Sequence, residues 1–168
     1  MPRGSKQGPR RLTPMYCAGL LDGEGTVSIR KTVKKGSDTY TVYCSISNTY
    51  LPILSEIQDK YGGKFYKRDN RGFKICGVWV LLGYDAVRFL RRIHRFTIIK
   101  NDQIKIALAF WKHKEPHHGS NKDKPDGFIE KCREFHYALK SMHGGQGKPE
   151  DKIFLPEEEV AEQMKVAQ

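Results

Sequence analysis

From Thr26 to Ile46 apolar and polar side chains alternate. Val27, Ile29 and Val33 are interleaved with Ser28, Arg30, Thr32 and Lys34; after a turn at Lys35-Gly36-Ser37-Asp38, Tyr40, Val42, Cys44 and Ile46 are interleaved with Thr39, Thr41, Tyr43 and Ser45. A period of two sends successive side chains to opposite faces of a strand, so the stretch predicts an antiparallel hairpin with one apolar and one polar face. A second hairpin is predicted around Lys64–Arg68 and Phe73–Leu82, turning at Asp69-Asn70-Arg71-Gly72. Between and after the hairpins the spacing becomes helical. Thr13-Pro14 signals a helix start, because threonine caps free amides and proline at the first helical position lacks an N–H that would go unpaired there. That helix should run from Pro14 to Asp22 or Gly23, with Gly25 letting the chain turn out of it. Leu51–Tyr61 places Leu54, Ile57 and Tyr61 on one face and stops at Gly62-Gly63. Further helical patterns cover Tyr84–His94, Asp102–Lys114 (Ile104, Ala107, Leu108, Trp111) and Gly127–His143 (Ile129, Cys132, Phe135, Leu139). The predicted order is αββαββα plus extra helices, an α+β fold.

The chain's 168 residues suit one domain with a substantial core. Residues 1–12 hold four basic side chains and no acid, which reads as a flexible basic arm. The domain then covers 13–143, and 144–168 form a linker, GGQGKP, and a short helix with Glu157–Glu159 in its first turn. Lys and Arg outnumber Asp and Glu by 30 to 19, for a net charge of +11, which favours a polyanionic partner, nucleic acid first. No apolar run approaches the ~18–20 residues that span a bilayer, and the basic N-terminus lacks the apolar centre of a secretory signal. An intracellular compartment is expected, cytoplasm and nucleoid or an organelle. Cys17, Cys44, Cys76 and Cys132 are too scattered for a disulfide scaffold and read as buried thiols; Cys132-x-x-x-His136 and His117-His118 each lack the other half of a zinc site.

Charge changes the reading of the hairpins. Arg30, Lys31, Lys34, Lys35, Lys64, Lys67, Arg68, Arg71 and Lys74 are concentrated in them, mixed with hydroxyl side chains. A two-stranded ribbon fits the major groove, where Arg and Lys bond guanine edges and hydroxyls reach bases or phosphates. The polar side chains expected to contact DNA are Ser28, Arg30, Thr32, Lys34, Thr39, Thr41, Tyr43, Ser45, Lys67, Arg68 and Lys74.

The stretch YCAGLLDGEG, residues 16–25, ends an apolar helix in two carboxylates set among glycines. Ala18 and Gly19, with Gly23 four residues on, make a small-residue stripe that lets another backbone approach, either inside the domain or from a second copy. A two-fold axis beside the helix would gather both copies of Asp22-Gly23-Glu24. In a basic protein such a cluster suits a hard divalent cation, Mg²⁺ being held by one or two carboxylates plus water and phosphate oxygens. The chemistry then expected is metal-assisted attack of water on a phosphodiester.

CAGLLDGEG resembles the signature of the LAGLIDADG homing endonucleases, agreeing at Ala18, Gly19, Leu20, Asp22 and Gly25, and the αββαββα order resembles that family over residues 13–113. It departs at Cys17, Gly23 and Glu24, although glutamate still ligates a hard cation. The resemblance implies a saddle-shaped four-stranded antiparallel sheet and, from one motif copy, a homodimer on a long, near-palindromic double-stranded DNA site. It implies double-strand cleavage across the minor groove, leaving short 3′ overhangs, in the service of intron homing. Glu24 maps to the metal-binding acid, with the Gly23 carbonyl as a second ligand and Mg²⁺ or another divalent cation such as Mn²⁺ as cofactor. Asn48 maps to a polar residue that orients water, with helix capping as the alternative, and Lys100 maps to a lysine near the scissile phosphate. Ala18, Gly19 and Asp22 are assigned to the dimer interface, Asp22 as a brace for the facing helix. The alternative function is an RNA maturase or a non-cleaving DNA-binding regulator of the same fold.

Overall fold

Thr13 starts the first helix, its Oγ1 accepting the Tyr16 N–H at 3.1 Å. The computed structural model describes residues 12–34, 36–68, 75–118 and 124–143. Helix α1 spans Pro14–Glu24 and passes directly into strand β1, Gly25–Lys34, followed by β2, Ser37–Asn48. Helix α2, Leu51–Tyr61, separates these from β3, Lys64–Arg68, and β4, Cys76–Leu82. Helices α3 (Gly83–Ile93), α4 (Asn101–Lys114) and α5 (Phe128–Ser141) follow, with short 3₁₀ turns at His94–Phe96 and Glu115–His117. The described residues thus form an α+β fold with a four-stranded antiparallel sheet and five α-helices, and the predicted helix ends agree to within a residue or two. The Asp69–Gly72 turn, Lys74, residues 1–11 of the arm and residues 144–168 lie outside the described residues.

The strand order is β1-β2-β4-β3. Register makes Val27, Ile29, Val42, Cys44, Ile46, Trp79, Leu81 and Phe65 share one face. These join Leu21 of α1, Leu54 and Ile57 of α2, Phe89 and Leu90 of α3, Phe110 of α4 and Phe135 of α5 in a single core. Trp79 centres it: fully buried, it stands edge-on to Phe89 with centroids 5.0 Å apart, and its indole N–H donates to Gly62 O at 2.7 Å. The helices therefore cover the apolar face and leave the other face open.

Gly25, at the joint of α1 and β1, is required by space. A Cβ there would lie 2.6 Å from the Leu21 carbonyl oxygen and 2.9 Å from Leu21 Cα. The outer edge of β1 is covered by α5 and the turn that follows it: His136 Nδ1–H of α5 donates to Ile29 O at 2.6 Å, and His143 Nε2–H, just past the helix, to Val27 O at 2.7 Å. Edge carbonyls satisfied in this way cannot template pairing with another chain.

Candidate active site and nucleic-acid interface

The last turn of α1 carries the acidic pair. Glu24 is exposed at the end of the helix, where unpaired carbonyls and the helix dipole both favour a cation. Asp22 turns back to its own chain. Its Oδ2 accepts the N–H groups of Ile98 at 2.7 Å and Ile99 at 3.3 Å, and its Oδ1 accepts that of Lys100 at 3.0 Å. The Lys100 ammonium donates to the Asp22 carbonyl at 2.7 Å. Lys100 is thus brought within two residues of Glu24. Asn48 ends β2 just before α2, and its Oδ1 accepts the Tyr50 N–H at 2.7 Å; Tyr50 is the N-cap residue of α2, which has no side-chain cap bond. Among the described residues no three His, Cys, Asp or Glu side chains converge to hold a metal. One exposed carboxylate and the carbonyls of the last α1 turn are a hard oxygen set that fits Mg²⁺ only with water and phosphate completing the shell.

The two faces of α1 differ from the expected assignment. Ala18, placed in the dimer interface from its size, is fully buried in the core with Cys17 and Leu21. Asp22, assigned to the same interface, bonds within the chain. The outward face carries Met15 and Tyr16, 64% and 52% exposed, with Gly19 and Gly23. A Cβ at either glycine would meet nothing within 4 Å, so this domain's own packing does not demand a glycine there. Next to this face the loop held by Asp22 presents Ile98 and Ile99, 86% and 73% exposed. Sequence reasoning missed this pair, although two consecutive isoleucines ahead of a helix N-terminus were a visible signal.

On the open face of the sheet, register brings together Ser28, Arg30 and Thr32 of β1 with Thr39, Thr41, Tyr43 and Ser45 of β2. The backbone register pairs Lys34 with Ser37 and Arg68 with Cys76. Lys67 does not join them. It pairs with Gly77 and falls on the helix-covered side with Phe65, because a one-position shift in a strand reverses the face. Lys64 and Tyr66, both exposed, occupy the open face of β3 instead. The centre of that face is apolar, since β4 contributes Val78, Val80 and Leu82. Tyr43 and Ser45 lie beside them, only 7% and 6% exposed, and the Arg30 guanidinium stacks 3.2 Å above the Tyr43 ring centroid. At the hairpin end Lys31 pairs with Asp38 at 2.7 Å. That bond holds the Asp38 carboxyl below its ordinary range and the Lys31 ammonium above its own. Burial raises the Cys17 and Cys44 thiols and pushes Cys132 up to about 11, so these three stay protonated; Cys76 is only half-buried.

The solved structures to which the chain is similar include the homing endonuclease I-CvuI in complex with its target in the presence of Ca, with a TM-score of 0.65 at 18% identity, covering 91% of this chain and 92% of that one. The archaeal intron-encoded homing endonuclease I-Vdi141I complexed with DNA follows at 0.63 and 15%, covering 90% and 94%. The LAGLIDADG homing endonuclease I-GzeII, in complex with its DNA target, matches at 0.61 and 12%, covering 91% of this chain but 57% of its own. This is the LAGLIDADG homing endonuclease fold. No protein-family model and no curated protein matches the sequence. In this chain the stretch CAGLLDGE lies on α1, and Glu24 stands where α1 passes into β1.

Proposed function

We propose that the chain is a site-specific DNA endonuclease that works as a homodimer, makes a double-strand break in a long, near-palindromic site and promotes the homing of its intron. The observation that carries this reading is the junction of α1 and β1. There Glu24, an exposed carboxylate, follows by two residues the Asp22 carbonyl that holds the Lys100 ammonium, at the end of a sheet whose open face presents Arg30 among hydroxyl side chains. A DNA partner is supported by that face and by the net charge of +11. A second copy is supported by the exposed apolar side of α1 and its two unobstructed glycines.

In this reading Glu24 and the Gly23 carbonyl would hold Mg²⁺, with Mn²⁺ as a substitute, and the cation would supply neutralisation of phosphate charge and activation of water. As the water oxygen forms a bond to phosphorus the water gives up a proton to solvent, the bond from phosphorus to the 3′ oxygen breaks, and that oxygen takes a proton from solvent. Lys100, its ammonium held by the carbonyl two residues before Glu24, would neutralise charge building on the phosphate oxygens. Ser28, Arg30, Thr32, Thr39 and Thr41 read groove edges, and the basic side chains of both hairpins fix the duplex through its backbone. The test is incubation of the protein with DNA spanning candidate intron insertion sites, with and without Mg²⁺. Cleavage at one site, dependent on Mg²⁺, is expected; tight binding of DNA that is never cut would leave the maturase or regulator.

A further inference from the structure

Helix α4 begins at Asn101 without a capping side chain of its own, its N-cap position being Lys100. The anion at that end comes from Asp22, 76 to 78 residues earlier in the chain, which accepts the three N–H groups leading into the helix. A carboxylate beside a helix N-terminus complements the dipole, and here it also satisfies the amides of the loop that leads into the helix. The base of the loop is tied separately: Thr97 Oγ1 donates to His94 O at 2.7 Å, and Asn101 Nδ2 donates to His94 O and Thr97 O. Ile98 and Ile99 bury almost nothing, so side-chain packing does not hold their backbone in place. The same residue that fixes the loop backbone also anchors the Lys100 ammonium through its carbonyl, two residues before Glu24.

We propose that Asp22 is a positioning residue for Lys100. The carboxylate sets the backbone of Ile98-Ile99-Lys100, and the carbonyl aims the ammonium at the end of α1. One donor is spent on that carbonyl and two remain for a phosphate. This rests on reading Glu24 and Lys100 as the cleavage machinery. It also gives the first acid of the motif a role separate from the second: Asp22 builds the site, and Glu24 is the residue that faces the cation.

The test is Asp22→Asn, nearly isosteric but with an N–H₂ group where one acceptor stood. Amide hydrogen exchange at Ile98, Ile99 and Lys100 should accelerate at least about tenfold, as expected for bonds that hold a locally stable segment. Single-turnover cleavage should fall about 10–100-fold, the usual consequence of removing a group that orients a site. DNA affinity and the Mg²⁺ concentration for half-maximal cleavage should stay at wild-type values, and in a Lys100→Ala background Asp22→Asn should cost nothing further. Unchanged exchange, a shifted Mg²⁺ requirement, or a full rate loss added to Lys100→Ala would each overturn the proposal. Asp22→Ser, which keeps one acceptor oxygen, serves the same comparisons if the asparagine variant does not fold. A wild type that cuts no DNA sinks the nuclease reading, and the exchange rates then still decide whether Asp22 holds the loop.

Discussion

Arg30 is the residue at which the open face is best organised for readout. With its guanidinium stacked on Tyr43 it gives up rotamer freedom before DNA arrives, while the edges of the fork stay free for the O6 and N7 of a guanine. Replacing Arg30 by alanine should weaken DNA binding by ~1–3 kcal/mol and relax preference at one symmetric pair of base pairs, read from affinities across a substituted site series. A uniform loss over all sequences would make Arg30 a phosphate contact instead. Ser28, Arg30 and Thr32 were legible on one face because they alternate with Val27, Ile29 and Val33, a pattern that Lys31 interrupts only once. Lys67 was not, since a strand of five residues carries too little pattern to fix which side faces the helices. Ala18 was misread for a related reason: α1 is apolar almost all round, so its sequence does not say which side turns inward.

Among the elements, the helix boundaries were legible where local chemistry marks them. Thr13-Pro14 starts α1, and Gly62 and Gly63, both at positive φ, stop α2. What no local pattern could show is the tie between the end of α1 and the start of α4, because it joins residues far apart in sequence. The packing of α4 on α5 has a titratable part. His113 stacks on Phe128 with centroids 4.8 Å apart, and burial, reinforced by the nearby His117 and Lys131, lowers its pKa below the ordinary 6.5; the contact to Phe128 O and the Glu134 charge pull the other way. A histidine whose folded pKa is depressed takes up protons more readily when unfolded. Its stabilising contribution is therefore complete above 6.5 and is lost as pH falls through the lowered folded value. Urea midpoints should drop between about pH 7.5 and about pH 5.5, and His113→Gln should show a shallower drop than wild type. Parallel curves for the two proteins would remove His113 from the account.

For the molecule as a whole, the exposed side of α1 beside two exposed isoleucines is an apolar patch of the kind that marks an interaction site, and the proposed second copy would cover it while pairing two Glu24 sites. Gly19 has open space within the chain, so Gly19→Leu should leave the melting temperature of the isolated domain near wild type and abolish dimerisation, as read by sedimentation. Wild-type protein that remains a monomer both free and on DNA would contradict the dimer. The most direct measurement of the central claim is cleavage and binding of one target by wild type and Glu24→Gln in parallel. Glutamine keeps the size and hydrogen-bonding shape of Glu24 and removes the charge that would hold Mg²⁺. The account predicts cleavage at background, with DNA affinity equal to or tighter than wild type, because each subunit loses one negative charge near the phosphates. A Glu24→Gln protein that cuts at the wild-type rate would contradict it.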